Sequence, residues 1–206
     1  MSAEKLHLRP ITPADTEKVV TWRNRDFVRK NFIYQKPFTK EGHETWLREQ
    51  VEPGHVAQFI ICVGEDSACL QKADDCSDTV VDGDMDLMAD AVGSQREIGS
   101  VYLRDIDREK GEAEYGVFIG ESDALGKGYG TQAAKRMLDY GFGKLGLKKI
   151  FLRLLEDNLR ALKSYEKAGF QLMPNRRETV ILEQGAREVL FMEIDRDRWE
   201  ERKNKA

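Results

Sequence analysis

The fold is decided by the stretch Ala113-Glu114-Tyr115-Gly116-Val117-Phe118-Ile119, which leads shortly to Gly126-Lys127-Gly128-Tyr129-Gly130-Thr131. The first part predicts a strand, and a helix is predicted over residues 131–144. Three alternate glycines between them bring backbone N–H groups close to a ligand. Such N–H groups and the N-terminus of a helix bind phosphate. The turn therefore predicts a site for a phosphate-bearing molecule.

Patterning outside this turn predicts one mixed α/β domain over residues 1–206. Helices are expected within 13–51, after the cap Asn158 up to Gly169, and on the surface over 195–206. An antiparallel hairpin is expected near 98–120 and another near 178–194. The predicted strands are 5–9, 59–63, 98–103, 112–120, 149–155, 178–183 and 187–194.

Composition is that of a soluble protein, with 40% hydrophobic and 34% charged residues. No apolar run approaches the roughly 20 residues that span a bilayer, and the first residues lack the apolar core of a signal peptide. A cytoplasmic protein without a membrane partner is expected. The cysteines are odd in number and match no common zinc spacing, so reduced thiols and no metal are expected. They are Cys62, Cys69 and Cys76.

Charge is distributed unevenly along the chain. Residues 65–95 hold nine acidic side chains and one base, Lys72, which gives this acidic insert a charge of −8. The whole chain carries −4, so the remainder carries +4. The insert is predicted to be a mobile loop. The mildly basic remainder suits an anionic cofactor and is too weakly charged to indicate nucleic acid.

Two common phosphate-binding motifs fit the glycine turn poorly. A P-loop needs four residues between its first glycine and Gly-Lys, followed by Ser or Thr. Here Gly120 is too far from Gly126, and Gly128 follows the lysine. In a dinucleotide-binding fold the third glycine would come one place later, and a second mononucleotide-binding half is missing.

The turn and a downstream segment together resemble the GNAT N-acetyltransferase superfamily. Asn158-Leu159-Arg160-Ala161-Leu162-Lys163-Ser164-Tyr165-Glu166-Lys167-Ala168-Gly169-Phe170 matches every fixed position of the family pattern Asn-x-x-Ala-x-x-x-Tyr-x-x-x-Gly-Phe. Leu8-Arg9-Pro10, Trp22-Arg23-Asn24 and the closing hairpin resemble the ribosomal-protein-alanine (RimJ/RimL-like) branch. Leu125 departs from the Gln or Arg of many members. The resemblance implies a central, mixed, mostly antiparallel sheet flanked by helices.

The resemblance also implies direct transfer of an acetyl group from acetyl-CoA to a primary amine. Protein N-termini, polyamines and amino sugars all remain open as acceptors, and a homodimer is possible. The alternative is a non-catalytic acyl-CoA-binding regulatory protein. The implied cofactor-binding residues are Phe118, Ile119, Gly126, Lys127, Gly128, Tyr129, Gly130, Thr131 and Asn158.

Tyr165 is the expected general acid, because it matches the catalytic tyrosine of the family. Glu114 is the expected base, acting through water, and Glu112 lies on the same face of the predicted strand. Glu44 and Asp26 are further candidates, and a dedicated base is not essential for every amine.

The early helices are expected to shape the acceptor pocket. Arg23 either meets an acidic group of the acceptor or is solvated, and the acidic insert either attracts a cationic acceptor or is a solvated loop. The candidate lining residues are Trp22, Arg23, Asn24 and Tyr34, with Phe32 and Trp46 beside them.

Overall fold

The computed structural model describes residues 5–64 and 95–204, so the acidic insert lies almost entirely outside the described residues. A seven-stranded sheet has the order β1-β2-β3-β4-β5-β7-β6. The strands are β1 Lys5–Pro10, β2 Ala57–Gly64, β3 Arg96–Asp107, β4 Glu112–Ile119, β5 Lys149–Leu155, β6 Gln171–Leu182 and β7 Gly185–Asp195. The helices are α1 Thr16–Asn24, α2 Asp26–Arg29, α3 Lys40–Trp46, α4 Tyr129–Leu138, α5 Leu159–Ala168 and α6 Arg196–Lys203.

Neighbouring strands are antiparallel except for β4 and β5. These two pair in parallel at three positions, where Glu112, Ala113 and Glu114 face the first three residues of β5. Beyond Glu114, β4 continues along β3 while β5 continues along β7. The two strands therefore separate and leave a cleft in the middle of the sheet. The predicted mixed, mostly antiparallel architecture is confirmed.

Helices α4 and α5 pack their apolar faces on the sheet. The inner face of α4 includes Ala133, Ala134 and Met137, all fully buried. Helix α5 begins and ends as its sequence predicts. Asn158 Oδ1 accepts a hydrogen bond from the Ala161 N–H, and Gly169 ends the helix with a φ of 117°.

Three elements, α4, β3 and β6, differ most from their predicted bounds. Helix α4 begins at Tyr129 and gives way to a π-helical turn over Asp139–Lys144. Strand β3 reaches Asp107, although a turn was predicted from residue 105 onward. A register shift between Arg104 and Asp107 accommodates Asp105, which has a φ of 51°, and the strand continues beyond it. Strand β6 begins at Gln171 through a similar shift, so the polar residues before 178 belong to the sheet.

Every helix in the described part of the chain is too short or too polar to cross a bilayer. Cys62 is a buried free thiol on β2. Within residues 5–64 and 95–204, no three His, Cys, Asp or Glu side chains lie close enough together to hold a metal ion.

Candidate active site

A cavity of about 680 Å³ lies where β4 and β5 separate. Two sets of residues form its wall. The glycine-turn half consists of Phe118, Ile119, the lining residues of 124–131, and those of 158–167. The N-terminal half consists of the lining residues of 19–58 together with Tyr102, Arg104, Glu114 and Arg153. Tyr115 and Gly116 of β4 lie between the halves.

The glycine turn enters α4 in a backbone conformation that favours glycine. Gly126 has a φ of 77° and Gly128 a φ of 84°, and Gly128 is the N-cap of α4. A Cβ built on either residue would meet no protein atom within 4 Å, so open space lies beside both. The first-turn N–H groups of a helix have no partner within the helix. The turn thus fits an anion placed against its backbone.

Helix α5 adds positive charge to the same half. Arg160, Lys163 and Lys167 line the cavity, and their spacing places them on one face of the helix. These cations are not among the residues predicted from the sequence, although their spacing on the helix was a signal for them. Thr131 Oγ1 lies 2.9 Å from Ser164 Oγ, which ties the start of α4 to α5.

Tyr165 lies on the inner face of α5 and lines the cavity, with 8% of its surface exposed. Its ring packs edge-on against Tyr115, with centroids 5.9 Å apart. Burial raises the pKa of Tyr165 well above its ordinary value, and the Tyr102 phenol raises this pKa further. The hydroxyl therefore stays protonated at neutral pH and can donate a proton.

Two further tyrosines of the cavity were not singled out from the sequence. The Tyr115 hydroxyl is buried and has no hydrogen-bond partner among the described residues, and burial raises its pKa strongly. Tyr102 pairs across the strands with Gly116, where an added Cβ would come within 2.3 Å of the Tyr102 ring. Gly116 thus makes room for an aromatic ring in the cavity wall.

Glu114 lies in the cavity wall and is 7% exposed. Its Oε1 accepts hydrogen bonds from Arg104 Nη2 at 2.8 Å and Arg153 Nε at 3.1 Å. Its Oε2 accepts one from Arg153 Nη2 at 3.1 Å. A water molecule or an amine would have to compete with two guanidinium groups for this carboxylate. The other acids considered as bases, Glu112, Glu44 and Asp26, are not among the lining residues.

Four of the six residues expected to line the acceptor pocket do line the cavity. Arg23, Phe32, Tyr34 and Trp46 line the N-terminal half of the cavity, and Tyr34 is 57% exposed.

Two acceptor candidates and one cofactor candidate lie elsewhere. Trp22 is a core residue, 2% exposed, whose Nε1 donates to Glu121 at 2.7 Å. The Asn24 amide exchanges two hydrogen bonds with the Phe38 backbone, which fixes the loop before α3. Lys127 is not among the lining residues. The local motifs that contain these residues did not reveal that they are absent from the cavity wall.

A buried polar group completes the N-terminal half. His43, 2% exposed, places Nδ1 3.1 Å from Thr16 Oγ1, and its Nε2 has no partner among the described residues. Burial lowers the pKa of His43, while Asp15 acts in the opposite direction. Trp46 Nε1 donates to Gln58 at 3.0 Å. The partner Thr16 belongs to another helix, so the sequence around His43 does not reveal this contact.

Parts of the chain are similar in sequence to known proteins. Spermidine N(1)-acetyltransferase of Escherichia coli K12 is 38% identical over 74 residues, which are 36% of this chain and 39% of that protein. An uncharacterised protein of Methanocaldococcus jannaschii is 26% identical over 175 residues, which are 84% of this chain and 30% of that protein. The chain therefore spans less than half the length of these curated relatives.

A solved structure and a family profile match most of the chain. The structure of spermidine N-acetyltransferase from Vibrio cholerae, in complex with CoA and spermine, superposes with a TM-score of 0.73. It is 21% identical and covers 94% of this chain and 97% of its own, a likeness that concerns the fold. The family profile for the acetyltransferase (GNAT) domain matches residues 5–171. The chain therefore belongs to the GNAT acetyltransferase family.

Proposed function

We propose that the protein transfers the acetyl group of acetyl-CoA to a primary amine within a ternary complex. One observation carries the proposal. The left-handed glycines that open α4 and the phenol of Tyr165 face the same cavity, at the point where β4 and β5 separate. A turn suited to bind an anion and a protonated phenol thus lie in the wall of one cavity.

The cofactor would lie along the glycine-turn half. The pyrophosphate would occupy the open space beside Gly126 and Gly128, with N–H groups of the turn as donors. Cations on α5 would contribute long-range attraction. Backbone groups of Phe118 and Ile119, whose strand pairs with β3 on one side and not with β5 on the other, would bind the pantetheine arm.

The chemistry assigns Tyr165 the last proton transfer. The neutral amine nitrogen attacks the thioester carbon, the C–S bond breaks, and the sulfur leaves as a thiolate. The Tyr165 hydroxyl donates a proton to that sulfur, and the amine loses a proton to a base or to water. The raised pKa of Tyr165 keeps the donor protonated until the sulfur departs.

Glu114 remains our candidate base, acting through a water molecule. Its position in the cavity wall supports this role, while its three hydrogen bonds to Arg104 and Arg153 indicate a second role in ordering those arginines. Bulk water reaching the open cavity is the alternative proton acceptor.

The names of two relatives point to a polyamine acceptor, since both are spermidine N-acetyltransferases, whereas the described wall of the N-terminal half carries more arginines than carboxylates. The acidic composition of residues 65–95 also suits a cation. A protein N-terminus, as the RimJ/RimL-like resemblance suggested, receives no such support. A homodimer stays a prediction. A regulatory protein without turnover is the remaining alternative, and intact Asn158 and Tyr165 argue against it.

The first prediction tests cofactor binding. Acetyl-CoA at about 100 times its dissociation constant should stabilise the protein by about 2.7 kcal/mol, measured as a thermal shift. Gly128→Val should remove that shift, because its side chain would fill the space beside the turn and its φ of 84° strains a β-branched residue.

Gly143→Ala is the matched control for this variant. Gly143 has the same open surroundings without a positive φ, and it lies outside the cavity wall. The control should keep the full shift. Absence of a shift in the unmodified protein at millimolar acetyl-CoA would refute the cofactor assignment, and binding without CoA release on any amine would favour the regulatory alternative.

A further inference from the structure

Arg23 is a buried cation in the wall of the N-terminal half. The residue is 6% exposed and lines the cavity. Its guanidinium carbon lies 3.4 Å from the centroid of the Phe32 ring and 4.5 Å from that of Phe38. Both rings contact the guanidinium group through cation–π geometry, which leaves its N–H groups to other acceptors.

The hydrogen bonding of Arg23 is sparse for five N–H donors. Its Nη2 donates to the Tyr34 carbonyl oxygen at 3.4 Å, at the long end of hydrogen-bond distances. Among residues 5–64 and 95–204, no carboxylate forms an ion pair with it. Burial lowers the pKa of Arg23 to about 10, against a small opposing influence of Tyr102, and the group remains charged at neutral pH. A buried charge without a counter-ion is costly.

The surrounding cavity does not supply the missing anion. Glu114 is the one acidic side chain among the described lining residues, and Arg104 and Arg153 already occupy both of its oxygens. The N-terminal half therefore holds three arginines and one carboxylate. This balance attracts an anion and opposes a polycation.

We propose that the amine acceptor carries a carboxylate or phosphate group that binds the N–H edge of Arg23. This inference deepens the proposed acetyl transfer and rests on it. The anion would be held in the N-terminal half, while the amine at the other end of the molecule faces the middle of β4. Arg23 would then select acceptors by charge, and Phe32 and Phe38 would fix the orientation of the guanidinium group.

The test uses pairs of amines that differ in one anionic group. The pairs are ethanolamine with phosphoethanolamine, glucosamine with glucosamine 6-phosphate, and propylamine with β-alanine; spermidine is added as a polycation. CoA release gives kcat/KM for each amine, and calorimetry with CoA-loaded protein gives binding. At least one anionic member should exceed its neutral twin by about 10- to 100-fold, the usual strength of a charge-assisted hydrogen bond.

Variants at Arg23 identify the group responsible. Arg23→Met keeps an unbranched side chain between the two rings and should bring that ratio close to 1. Arg23→Lys keeps the charge without the planar fork and should retain part of the preference. Arg29→Met is the control, because Arg29 pairs with Asp26 on the surface of α2 and is not among the lining residues. It should leave the ratio unchanged.

The outcomes separate this inference from the proposed function. A thermal shift with acetyl-CoA, together with spermidine as the best acceptor or with no preference within any pair, would overturn the inference and leave acetyl transfer intact. A preference that survives Arg23→Met would also overturn it. Absence of acetyl-CoA binding would instead refute the proposed function.

Discussion

The two halves of the cavity are built in different ways. The glycine-turn half comes mainly from two short segments whose backbone geometry and helix caps follow from local sequence. The N-terminal half is assembled from side chains far apart in the chain, such as Gln58 with Ser100 and Glu114 with Arg153. A backbone site can be recognised from a motif, whereas a site made of distant side chains requires the fold.

The halves also differ in what fixes their charge. In the glycine-turn half, cations on α5 line the same cavity as the glycine turn, an arrangement that suits the phosphates of the proposed cofactor. In the N-terminal half, Glu114 neutralises part of the charge of Arg104 and Arg153, while Arg23 lies between aromatic rings. Under the proposed function, cofactor binding is thus separated from acceptor selection.

The largest expected effect is at Tyr165, a residue of the glycine-turn half that packs against Tyr115. Tyr165→Phe keeps the ring that packs against Tyr115 and removes only the hydroxyl. Acetyl-CoA affinity and melting temperature should change little. Turnover should fall by about 10²-fold or more, the usual scale for loss of a general acid. Rates of CoA release with the best acceptor measure the effect, and unchanged turnover would make a water molecule the proton donor.

Replacing Glu114 should chiefly affect the N-terminal half. Glu114→Gln removes the buried carboxylate from Arg104 and Arg153 and leaves them only the more distant and more exposed Asp105 and Glu178. The substitution should lower the free energy of unfolding by about 1–3 kcal/mol. Glu193→Gln, which disrupts a more exposed pair with Lys149 on the neighbouring strands, should cost less than about 1 kcal/mol. Denaturant titration compares the two variants.

The same Glu114→Gln variant distinguishes its two proposed roles. If the carboxylate is the base, kcat should fall and the pH profile of kcat should change. If it only orders the arginines, stability should fall while the shape of that profile stays as in the unmodified protein. Equal stability of both variants would show that the Glu114 cluster contributes no more than a surface pair.

The smallest expected effect concerns His43 and acid. The unfolded histidine takes up a proton below a pH of about 6.5, whereas burial lowers the pKa of folded His43. The unfolded state therefore binds more protons in this range, and stability falls as the pH drops below about 6.5.

His43→Asn should make that loss shallower between pH 7 and 5. His7, whose pKa burial also lowers, would account for part of the remaining slope. Burial alone would raise the pKa values of Asp15 and Glu97, but hydrogen bonds lower both. Arg9 and Thr12 donate to Asp15, and Lys18 and Arg9 donate to Glu97, so both carboxylates titrate at lower pH. Denaturant midpoints across this range provide the measurement, and an unaltered slope would show that His43 is protonated as easily when folded.

Prediction from sequence succeeded where the cause was local. The cap Asn158, the stop at Gly169 and the bounds of β5 follow from nearby residues, and the mixed sheet is confirmed. It failed where partners are distant. Trp22 was expected in the acceptor pocket, but its indole packs beside Gly120, a contact that no local pattern encodes.

The three residue pairs between β4 and β5 are a narrow joint between two parts of the sheet. On one side lie the four strands β1 to β4, and on the other lie β5, β7 and β6. A molecule that contacts both β4 and α5 would connect the two parts of the sheet. The contact between Thr131 on α4 and Ser164 on α5 connects the helices that pack on these parts. A cofactor bound as proposed would add contacts between the two parts of the sheet, so its binding should reduce the motion of one part relative to the other, which hydrogen exchange of β4 and β5 can measure.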